Sequence, residues 1–494
     1  MGAEGGAFEV FASGVNSTGI ADLTAYQSQP TASRSSFTVP ASASAPAFAA
    51  SPRLVPPGTY VALTGSNLPH SAAISFILNG ATLGTGKTTK TGVLMPKQLK
   101  IPVGSVFGPA AIEANATSGT VAEAPIYVSN SWVSQGNGPL NQNTEPNDRV
   151  FTNDLPITNA LTQAWLFDTP AALKNSPVIA NGMAFLADSS GTVTSVFLKS
   201  GMQDWQVTPD NGAIVNVTPA IDESVTNGVL VIGDQSGSLI GLNAQDGATL
   251  WTTPLGGGAI TGAPVIAGGV IYVGTQSGTL FAVSESSGTV IWHGVYGVID
   301  APAAVDTTAG LVIVADQSGK LTALSLSAGS VQWQFTAPGP IATSPMIFNG
   351  FVYFGSANDF YSVSESTGSQ SWVTKTAGTI TSSPALYGAT VLVGDSLGNQ
   401  YSFVPSTGQA VILKNYNKSV ITGMVTAVTF TLVQTKSGLL SADKNPKGGS
   451  SAGAWIERLG STITGQPILD NGAIYAVTAN GLFCFTVLPG STPE

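Results

Sequence analysis

Residues 276–292 read QSGTLFAVSESSGTVIW, residues 235–251 read QSGSLIGLNAQDGATLW, and residues 317–333 read QSGKLTALSLSAGSVQW. The three stretches have the same length and the same order of features. Each contains Gln-Ser-Gly, an apolar patch, a second glycine and a final tryptophan. A pattern of residues that recurs at a fixed interval is the signature of a repeat architecture.

The spacing of glycine four residues before tryptophan extends well beyond these three stretches. Seven of the eight tryptophans occupy the same repeat position, and one further copy carries an isoleucine there. The pairs are Gly201/Trp205, Gly247/Trp251, Gly288/Trp292, Gly329/Trp333, Gly368/Trp372 and Gly408/Ile412, with Trp165 before them and Trp455 after them. We predict that each tryptophan lies on the outermost strand of a sheet and packs against the neighbouring sheet. A row of exposed aromatics for ligand stacking is the alternative.

A second glycine precedes each anchor by fourteen residues, at Gly191, Gly237, Gly278, Gly319 and Gly398. The fifth copy has Asn358 at this position, and asparagine is the non-glycine residue that best tolerates a positive φ. We therefore predict a left-handed turn residue between two strands in every copy. The flanking runs, such as LVIVAD and KLTALS, are β-branched or alternating, as expected of short strands.

A proline marks the start of each unit, in the dipeptides Ser176-Pro177, Thr218-Pro219, Ala263-Pro264, Ala301-Pro302, Ser344-Pro345, Ser383-Pro384 and Gln466-Pro467, with Met424-Val425 in the seventh unit. Proline has no N–H to donate and suits the first residue of a strand. The eight starts are separated by about 41 residues on average, the length of a four-stranded propeller blade.

The two ends of the repeat region are complementary. The eighth unit contains three strands, and the segment 162–169 before the first unit is a tryptophan strand without a blade. We predict that Trp165 and its neighbours complete the eighth blade and close the ring, because closure removes open sheet edges. The fold class is therefore all-β, with an eight-bladed propeller over residues 161–494.

The repeat SPVIANGMAFLADSSGTVTSVFLKSGMQDW (residues 176–205) and its copies resemble the PQQ-like β-propeller superfamily. This superfamily includes quinoprotein alcohol dehydrogenases and a non-enzymatic outer-membrane assembly lipoprotein. The segment from Trp132 to the first blade, assigned as a lead-in over 131–160, also resembles the corresponding segment of such proteins. The resemblance implies the fold, but propellers host many unrelated activities.

The N-terminal third is different in character. Residues 1–52 are interpreted as an arm and linker that could donate a strand to a neighbouring subunit. Residues 53–130 contain short strands separated by turn signals, which favour a β-sandwich. The phrase PPGTYVALTGSNLPHSAAISFILNG (56–80) resembles bacterial immunoglobulin-like or IPT/TIG-type modules.

Composition narrows the class of protein. Only 9% of the residues are charged and the formal net charge is −10, which argues against nucleic-acid binding because phosphate neutralisation requires a dense basic surface. No apolar run is long enough to span a membrane, and no signal peptide is visible at the N-terminus. The remaining polar residues carry neutral side chains, a composition that is common in secreted and cell-surface proteins. We therefore expect an extracellular or cell-surface location, with the periplasm as the alternative.

The residues offer no complete catalytic template. The resemblance to quinoprotein dehydrogenases would imply adjacent cysteines, a calcium ion and an aspartate base, but Cys484 is the single cysteine. The aspartates at one repeat position, Asp188, Asp234, Asp316 and Asp395, are predicted to cap turns by bonding backbone N–H groups, with a calcium role as the alternative. His70 and His293 are isolated and make no metal cluster. We expect no cofactor, no metal and no catalytic residue.

Four Asn-x-Ser/Thr sequons, at Asn16, Asn115, Asn216 and Asn417, are possible glycosylation sites. The function that we expect is a secreted or cell-surface, non-catalytic interaction or structural protein, with other subunits or copies of itself as partners. Assembly into a filament by strand exchange is part of that hypothesis. The alternatives are a quinoprotein-type oxidoreductase or its inactive descendant, and a polysaccharide-binding surface protein.

Overall fold

The computed structural model describes residues 46–51, 54–55, 60–95, 97–101, 108–117, 119–128, 135, 138–142, 144–145, 162–209, 212–222, 228–427, 430–444, 453–459, 462–470 and 473–486. Strands and turns account for these residues, and none of them lies in an α-helix. The strand candidates of the arm before residue 46 lie outside the described residues. The chain divides into two compact units.

The first unit contains Val61–Leu99 and Ala110–Pro125. The strands of the N-terminal region are β1 (Ala47–Ser51), β2 (Leu54–Val55), β3 (Tyr60–Ser66), β4 (Ala73–Leu78), β5 (Ala81–Lys87), β6 (Lys97–Lys100), β7 (Gly108–Ala116) and β8 (Gly119–Val128). They form a three-stranded sheet, β1-β3-β6, and a five-stranded sheet, β2-β8-β7-β4-β5. Buried residues such as Ile74 and Phe76 on β4 form the core of the first unit.

The linker interpretation was wrong for one part of the arm. Ala47–Ser51 is strand β1, which pairs antiparallel with β3 from Ala47↔Ser66 to Ser51↔Ala62. The alanine-rich composition of this stretch suggested a linker, but a strand needs only backbone hydrogen bonds and a neighbouring edge, both of which β3 supplies. The immunoglobulin-like character of this region stays a prediction.

The second unit contains the repeats. Its strands are β9 (Thr144–Glu145), β10 (Thr162–Asp168), β11 (Val178–Ala180), β12 (Met183–Ala187), β13 (Val193–Phe197), β14 (Gln203–Val207), β15 (Ala220–Asp222), β16 (Val229–Gly233), β17 (Ser238–Asn243), β18 (Thr249–Pro254), β19 (Val265–Ala267), β20 (Val270–Gly274), β21 (Thr279–Ser284), β22 (Val290–Val295), β23 (Ala304–Asp306), β24 (Leu311–Ala315), β25 (Lys320–Ser325), β26 (Val331–Thr336), β27 (Met346–Phe348), β28 (Phe351–Ser356), β29 (Asp359–Ser364), β30 (Gln370–Lys375), β31 (Ala385–Tyr387), β32 (Thr390–Gly394), β33 (Asn399–Phe403), β34 (Ala410–Asn415), β35 (Ile421–Ala427), β36 (Phe430–Thr435), β37 (Leu439–Lys444), β38 (Gly453–Arg458), β39 (Ile468–Asp470), β40 (Ala473–Thr478) and β41 (Gly481–Thr486).

These strands form one sheet per repeat, as the repeat predicts. Sheets 1 to 6 each consist of four consecutive strands in chain order: β11–β14, β15–β18, β19–β22, β23–β26, β27–β30 and β31–β34. Sheet 7 has the order β38-β37-β36-β35-β9, and sheet 8 has the order β10-β41-β40-β39. The prolines at the unit starts directly precede the first strand of their sheets in all but one case, Pro302, which lies two residues before β23.

The predicted closure by the Trp165 segment is confirmed at the level of strand pairing. Strand β10 pairs antiparallel with β41, with Trp165 opposite Cys484 and Asp168 opposite Gly481. One hydrophobic cluster joins residues of sheets 7, 8 and 1, and separate clusters fill the space between each other pair of successive sheets. The core therefore lies between neighbouring sheets.

The left-handed turn residues are confirmed, with one correction. Gly191, Gly237, Gly278, Gly319 and Gly398 have φ values of 81°, 86°, 82°, 88° and 79°. The prediction for Asn358 was wrong, because Ala357 carries the positive φ of 50° in that turn. Ser356 pairs with Asp359, so only two residues connect β28 and β29. Counting fourteen residues back from the tryptophan does not reveal that this turn is shorter.

Candidate functional site

In six of the sheets, a tryptophan on the outermost strand contacts the next sheet. The indole Nε1–H donates to a backbone carbonyl that follows the third strand of the next sheet. The bonds are Trp165–Leu198 (2.8 Å), Trp205–Ala244 (3.1 Å), Trp251–Glu285 (2.8 Å), Trp292–Leu326 (2.9 Å), Trp333–Glu365 (2.6 Å) and Trp372–Pro405 (2.7 Å). The predicted packing against the neighbouring sheet is therefore confirmed for these six residues, whereas the side chain of Trp455 lies outside the described residues.

A glycine of the next repeat receives each of these rings. The space that a Cβ would need at Gly329 lies 2.5 Å from a carbon of the Trp292 ring, and at Gly368 the corresponding distance to Trp333 is also 2.5 Å. Both glycines have positive φ, 64° and 70°. In each Gly-x-x-x-Trp stretch, the glycine thus packs against the tryptophan of the preceding sheet. The tryptophan of the same stretch packs against the next sheet.

The four turn aspartates bind backbone N–H groups, as predicted. In each case Oδ1 accepts from the N–H groups two and four residues further on. In Asp395 the second oxygen also accepts, from the Gly378 N–H at 3.0 Å and from the Tyr401 hydroxyl at 3.1 Å. These carboxylates are committed to holding the turns between the second and third strands of their sheets.

Two pairs of carboxyl groups, each formed by a buried glutamate and a half-buried aspartate, join neighbouring sheets and were missed by the sequence analysis. Glu285 and Glu365 are 3% and 5% exposed, and their side chains hydrogen bond with Asp222 and Asp306 of the preceding sheets. Burial first, and then the adjacent aspartate, raise the pKa of each glutamate to about 7. Leu198, Ala244, Leu326 and Pro405 occupy the same repeat position, and this apolar set is the signal that marks the two glutamates as buried.

We expect these pairs to make the protein more stable at pH 5 than at pH 7.5. Because the folded-state pKa lies above the unfolded value near 4.5, the native state holds more protons in this interval, and stability is lost as the pH rises from about 4.5 to 7. The expected loss is about 1–3 kcal/mol per pair, measured by urea unfolding at the two pH values. The double variant Glu285→Gln, Glu365→Gln should show a weaker pH dependence. An unchanged pH dependence in this variant would assign the effect to other groups.

The contact between sheets 6 and 7 is polar at the place where the six contacts described above have a tryptophan. The anchor position holds Ile412, and next to it the Lys414 ammonium contacts Asp443 Oδ1 at 2.5 Å. The Tyr416 hydroxyl donates to the other oxygen of Asp443, and burial together with this carboxylate raises the pKa of Tyr416 far above its usual range. Asp443 is 2% exposed, so the cluster is a desolvated link between two sheets.

A segment of the lead-in, residues 138–142 and 144–145, lies along the first strands of sheets 4 to 7. We call it the inner-edge segment. The Pro139, Leu140 and Gln142 carbonyls accept the N–H groups of Val305 (2.7 Å), Ile347 (3.0 Å) and Leu386 (2.8 Å). Strand β9 then pairs in parallel with β35, from Thr144↔Thr426 to Glu145↔Ala427. The chain therefore contacts four successive sheets in seven residues, a feature that the repeat pattern gave no reason to predict.

The remaining candidate residues are not gathered into a site. His70 is exposed in the first unit, and His293 is exposed in the second unit with its ring against Phe281. Cys484 is fully buried in β41, and burial raises the pKa of its thiol to about 12. In the described part of the chain, no three His, Cys, Asp or Glu side chains are grouped so that they could hold a metal ion.

The sequons differ in accessibility. Asn417 is exposed in a turn with φ of 50°, whereas Asn115 and Asn216 are half-buried and their Oδ1 atoms are inaccessible. Asn16 lies outside the described residues. Glycosylation at these positions stays a prediction, and Asn417 is the described sequon that an enzyme could reach.

A shallow cleft of about 320 Å³ lies between sheets 3 and 4. Its lining includes Tyr296, Asp316, Lys320 and Gln334. Asp316 is already occupied by turn N–H groups and by the Gly297 N–H at 3.1 Å. The cleft is polar, and its carboxylate is already engaged by backbone N–H groups. No helix that could cross a membrane occurs among the described residues.

Comparison with known proteins identifies the repeat. The profile of the family described as outer membrane protein assembly factor BamB matches residues 161–306 and 278–487. No curated protein sequence matches the chain. BamB from Moraxella catarrhalis has a similar structure, with 22% identity, a TM-score of 0.57, and coverage of 66% of this chain and 99% of that protein. Quinohemoprotein alcohol dehydrogenase from Comamonas testosteroni has 13% identity, a TM-score of 0.61, and coverage of 74% and 82%. A computationally designed protein, Ika8, has 13% identity and a TM-score of 0.57, with coverage of 66% and 99%.

The second of these relatives raises the question of a quinone cofactor, and the residues present do not fit one. The adjacent cysteines that the resemblance implies are impossible with Cys484 alone. The aspartates of the repeats are engaged by backbone N–H groups, and Asp443 is paired with Lys414 and Tyr416. At these levels of identity the structural likeness supports the propeller fold and nothing further.

Proposed function

The chain belongs to the outer membrane protein assembly factor BamB family, and on this premise we propose that it is a non-catalytic interaction platform built on a closed eight-bladed propeller. Its place is the periplasm, the cell surface or the extracellular space. The immunoglobulin-like N-terminal module acts as a spacer or docking module. Partner proteins, including further copies of this chain, are the ligands of the platform.

The proposal rests on one observation: the acidic side chains of the repeats are occupied by hydrogen bonds within the protein. Each turn aspartate accepts two backbone N–H groups, and the buried glutamates pair with aspartates of the neighbouring sheet. Proton transfer requires a side chain that is free to exchange a proton with a substrate, within hydrogen-bond reach of it. The glutamate–aspartate pairs, together with the tryptophan contacts, join neighbouring sheets, which suits a rigid surface for binding.

The oxidoreductase alternative is tested directly with the cofactor. Purified protein is mixed with pyrroloquinoline quinone and calcium, and we expect neither bound-quinone absorbance nor dye-linked oxidation of alcohols or sugars. Oxidation above the rate of a heat-denatured sample would overturn the non-catalytic assignment. A glycan array tests the polysaccharide alternative with the same preparation.

We also propose that residues 1–45 donate a strand to a neighbouring copy. The support is the N-terminal sequence itself, in which AFEVFAS (7–13) and SSFTVPAS (35–42) have strand character. Deletion of residues 1–45 should abolish filaments or oligomers seen by electron microscopy and light scattering with the full chain. Assemblies that persist unchanged after the deletion would refute strand exchange by this arm.

A further inference from the structure

The inner-edge segment shows how the first strands of the sheets bind an extended chain. In sheets 4, 5 and 6 the middle residue of a three-residue first strand points its N–H away from its own sheet. Those N–H groups, of Val305, Ile347 and Leu386, donate to three carbonyls of the segment, those of residues 139, 140 and 142. The Asn141 side chain adds a bridge, because its Nδ2 donates to the carbonyls of Ala303 (3.0 Å) and Pro345 (3.2 Å).

The same strand geometry recurs on sheets 8, 1, 2 and 3, beyond the reach of the segment. Their first strands also have three residues, paired with the second strand in the same register. In the hairpin of sheet 5 Ile347 faces Val352, and in sheet 1 Ile179 faces Ala184 at the equivalent place. The middle residues of these four strands are Leu469, Ile179, Ile221 and Ile266.

Each of these four first strands is the terminal strand of its sheet, and within the described part of the chain no backbone carbonyl accepts the outward N–H of its middle residue, so a further strand can pair there. The strands follow one another in space, since β11 contacts β15, β15 contacts β19, and β19 contacts β23. The Gln466 N–H donates to Ser176 Oγ at 2.7 Å, which joins sheet 8 to sheet 1. The four edges are therefore continuous with the edges that the inner-edge segment covers.

We propose that the first strands of sheets 8, 1, 2 and 3 bind an extended, uncharged peptide of a partner protein in the way that those of sheets 4 to 7 bind the inner-edge segment. This inference rests on the proposed platform function and names the chemistry of its partner. The peptide's carbonyls accept from the middle N–H groups. An asparagine or glutamine side chain bridges the carbonyls of the residues that directly precede successive first strands, as Asn141 does with Ala303 and Pro345.

The neutral character of the edge sets the chemistry of the partner. The residues before the unit-start prolines on these sheets, Gln466, Ser176, Thr218 and Ala263, are uncharged. Two aspartates lie on the first strands, but Asp470 is only 4% exposed and the Asp222 side chain is hydrogen bonded to Glu285. The Ser176 N–H donates to Thr218 Oγ1 at 3.2 Å, so neighbouring starts already bond to each other. A charged peptide side chain would lose hydration here without a counter-ion, whereas backbone and amide groups find matched partners.

The test uses the full chain and a fluorescent synthetic peptide with the sequence of residues 138–144, GPLNQNT. Fluorescence anisotropy should show saturable binding, weakened at least tenfold when the peptide's asparagine that corresponds to Asn141 is replaced by alanine. Ile266→Pro, which removes an outward N–H from a half-buried position, should also weaken binding at least tenfold. Ile291→Pro, at the bulge of the outer strand β22 of the same sheet, is the matched control and should leave binding unchanged.

Hydrogen exchange of the unaltered protein gives a second measurement that does not depend on a variant folding. Added peptide should slow exchange in β39, β11, β15 and β19 and leave β23, β27 and β31 unchanged. Absence of binding, or protection that appears on other strands, would overturn the inference. Displacement of the inner-edge segment would instead speed or alter exchange in β23, β27 and β31, and would equally contradict it. Dye-linked oxidation, by contrast, would contradict the platform function, so the two failures are distinguishable.

Discussion

Replacing Trp333 with alanine is expected to lower the free energy of unfolding by about 3–5 kcal/mol. The side chain is 8% exposed, packs on Gly368 and donates to the Glu365 carbonyl at 2.6 Å. Its loss opens a cavity between sheets 4 and 5 and leaves a buried carbonyl without its donor. Urea unfolding monitored by circular dichroism measures the change.

The matched control for this variant is Ile412→Ala. Ile412 occupies the same repeat position but is 53% exposed. Its truncation should cost less than about 1 kcal/mol, because a side chain that stays in water gains little from burial. Equal losses for the two variants would show that the repeat position, rather than the contact with the next sheet, determines the stability.

Asp395→Ala should be similarly destabilising, by roughly 3 kcal/mol or more. Asp395 is fully buried and accepts from the N–H groups of Leu397, Asn399 and Gly378. Alanine leaves these donors without a partner, and an unmade bond to a buried group costs more than the bond itself contributes. The urea midpoint reports the change.

Asp246→Ala provides the comparison for the aspartate. Asp246 is exposed and accepts one backbone N–H, that of Ala248 at 2.9 Å. Water replaces that bond after truncation, so the expected loss is at most about 1 kcal/mol. A midpoint for Asp395→Ala that equals that of Asp246→Ala would contradict a structural role for the repeated turn carboxylates.

The sequence predicted the features that repeat. The tryptophan position, the turn glycines and the pairing of the Trp165 strand with the end of the chain all follow from a pattern that returns at a fixed interval. Such a pattern indicates how each sheet packs against its neighbour, because every repeat makes the same kind of contact.

Features that occur once were missed for a physical reason. The inner-edge segment bonds through its backbone to residues far away in the chain, and backbone bonds leave no mark on side-chain periodicity. The prediction for Asn358 was wrong because its turn is one residue shorter, which changes the residue that takes the left-handed conformation. Each carboxyl pair joins residues of two sheets, so in the sequence the glutamate and the aspartate look like two isolated acidic residues.

The pairing of β10 with β41 constrains when the molecule can mature during synthesis. The two strands come from opposite ends of the repeat region, so the last sheet stays incomplete until nearly all of it has left the ribosome. Until then β10 presents an unpaired edge, and the long loop that it must close slows its capture. A nascent chain stalled before Gly481 would expose this edge to other chains, so a truncation that removes β41 is expected to promote aggregation.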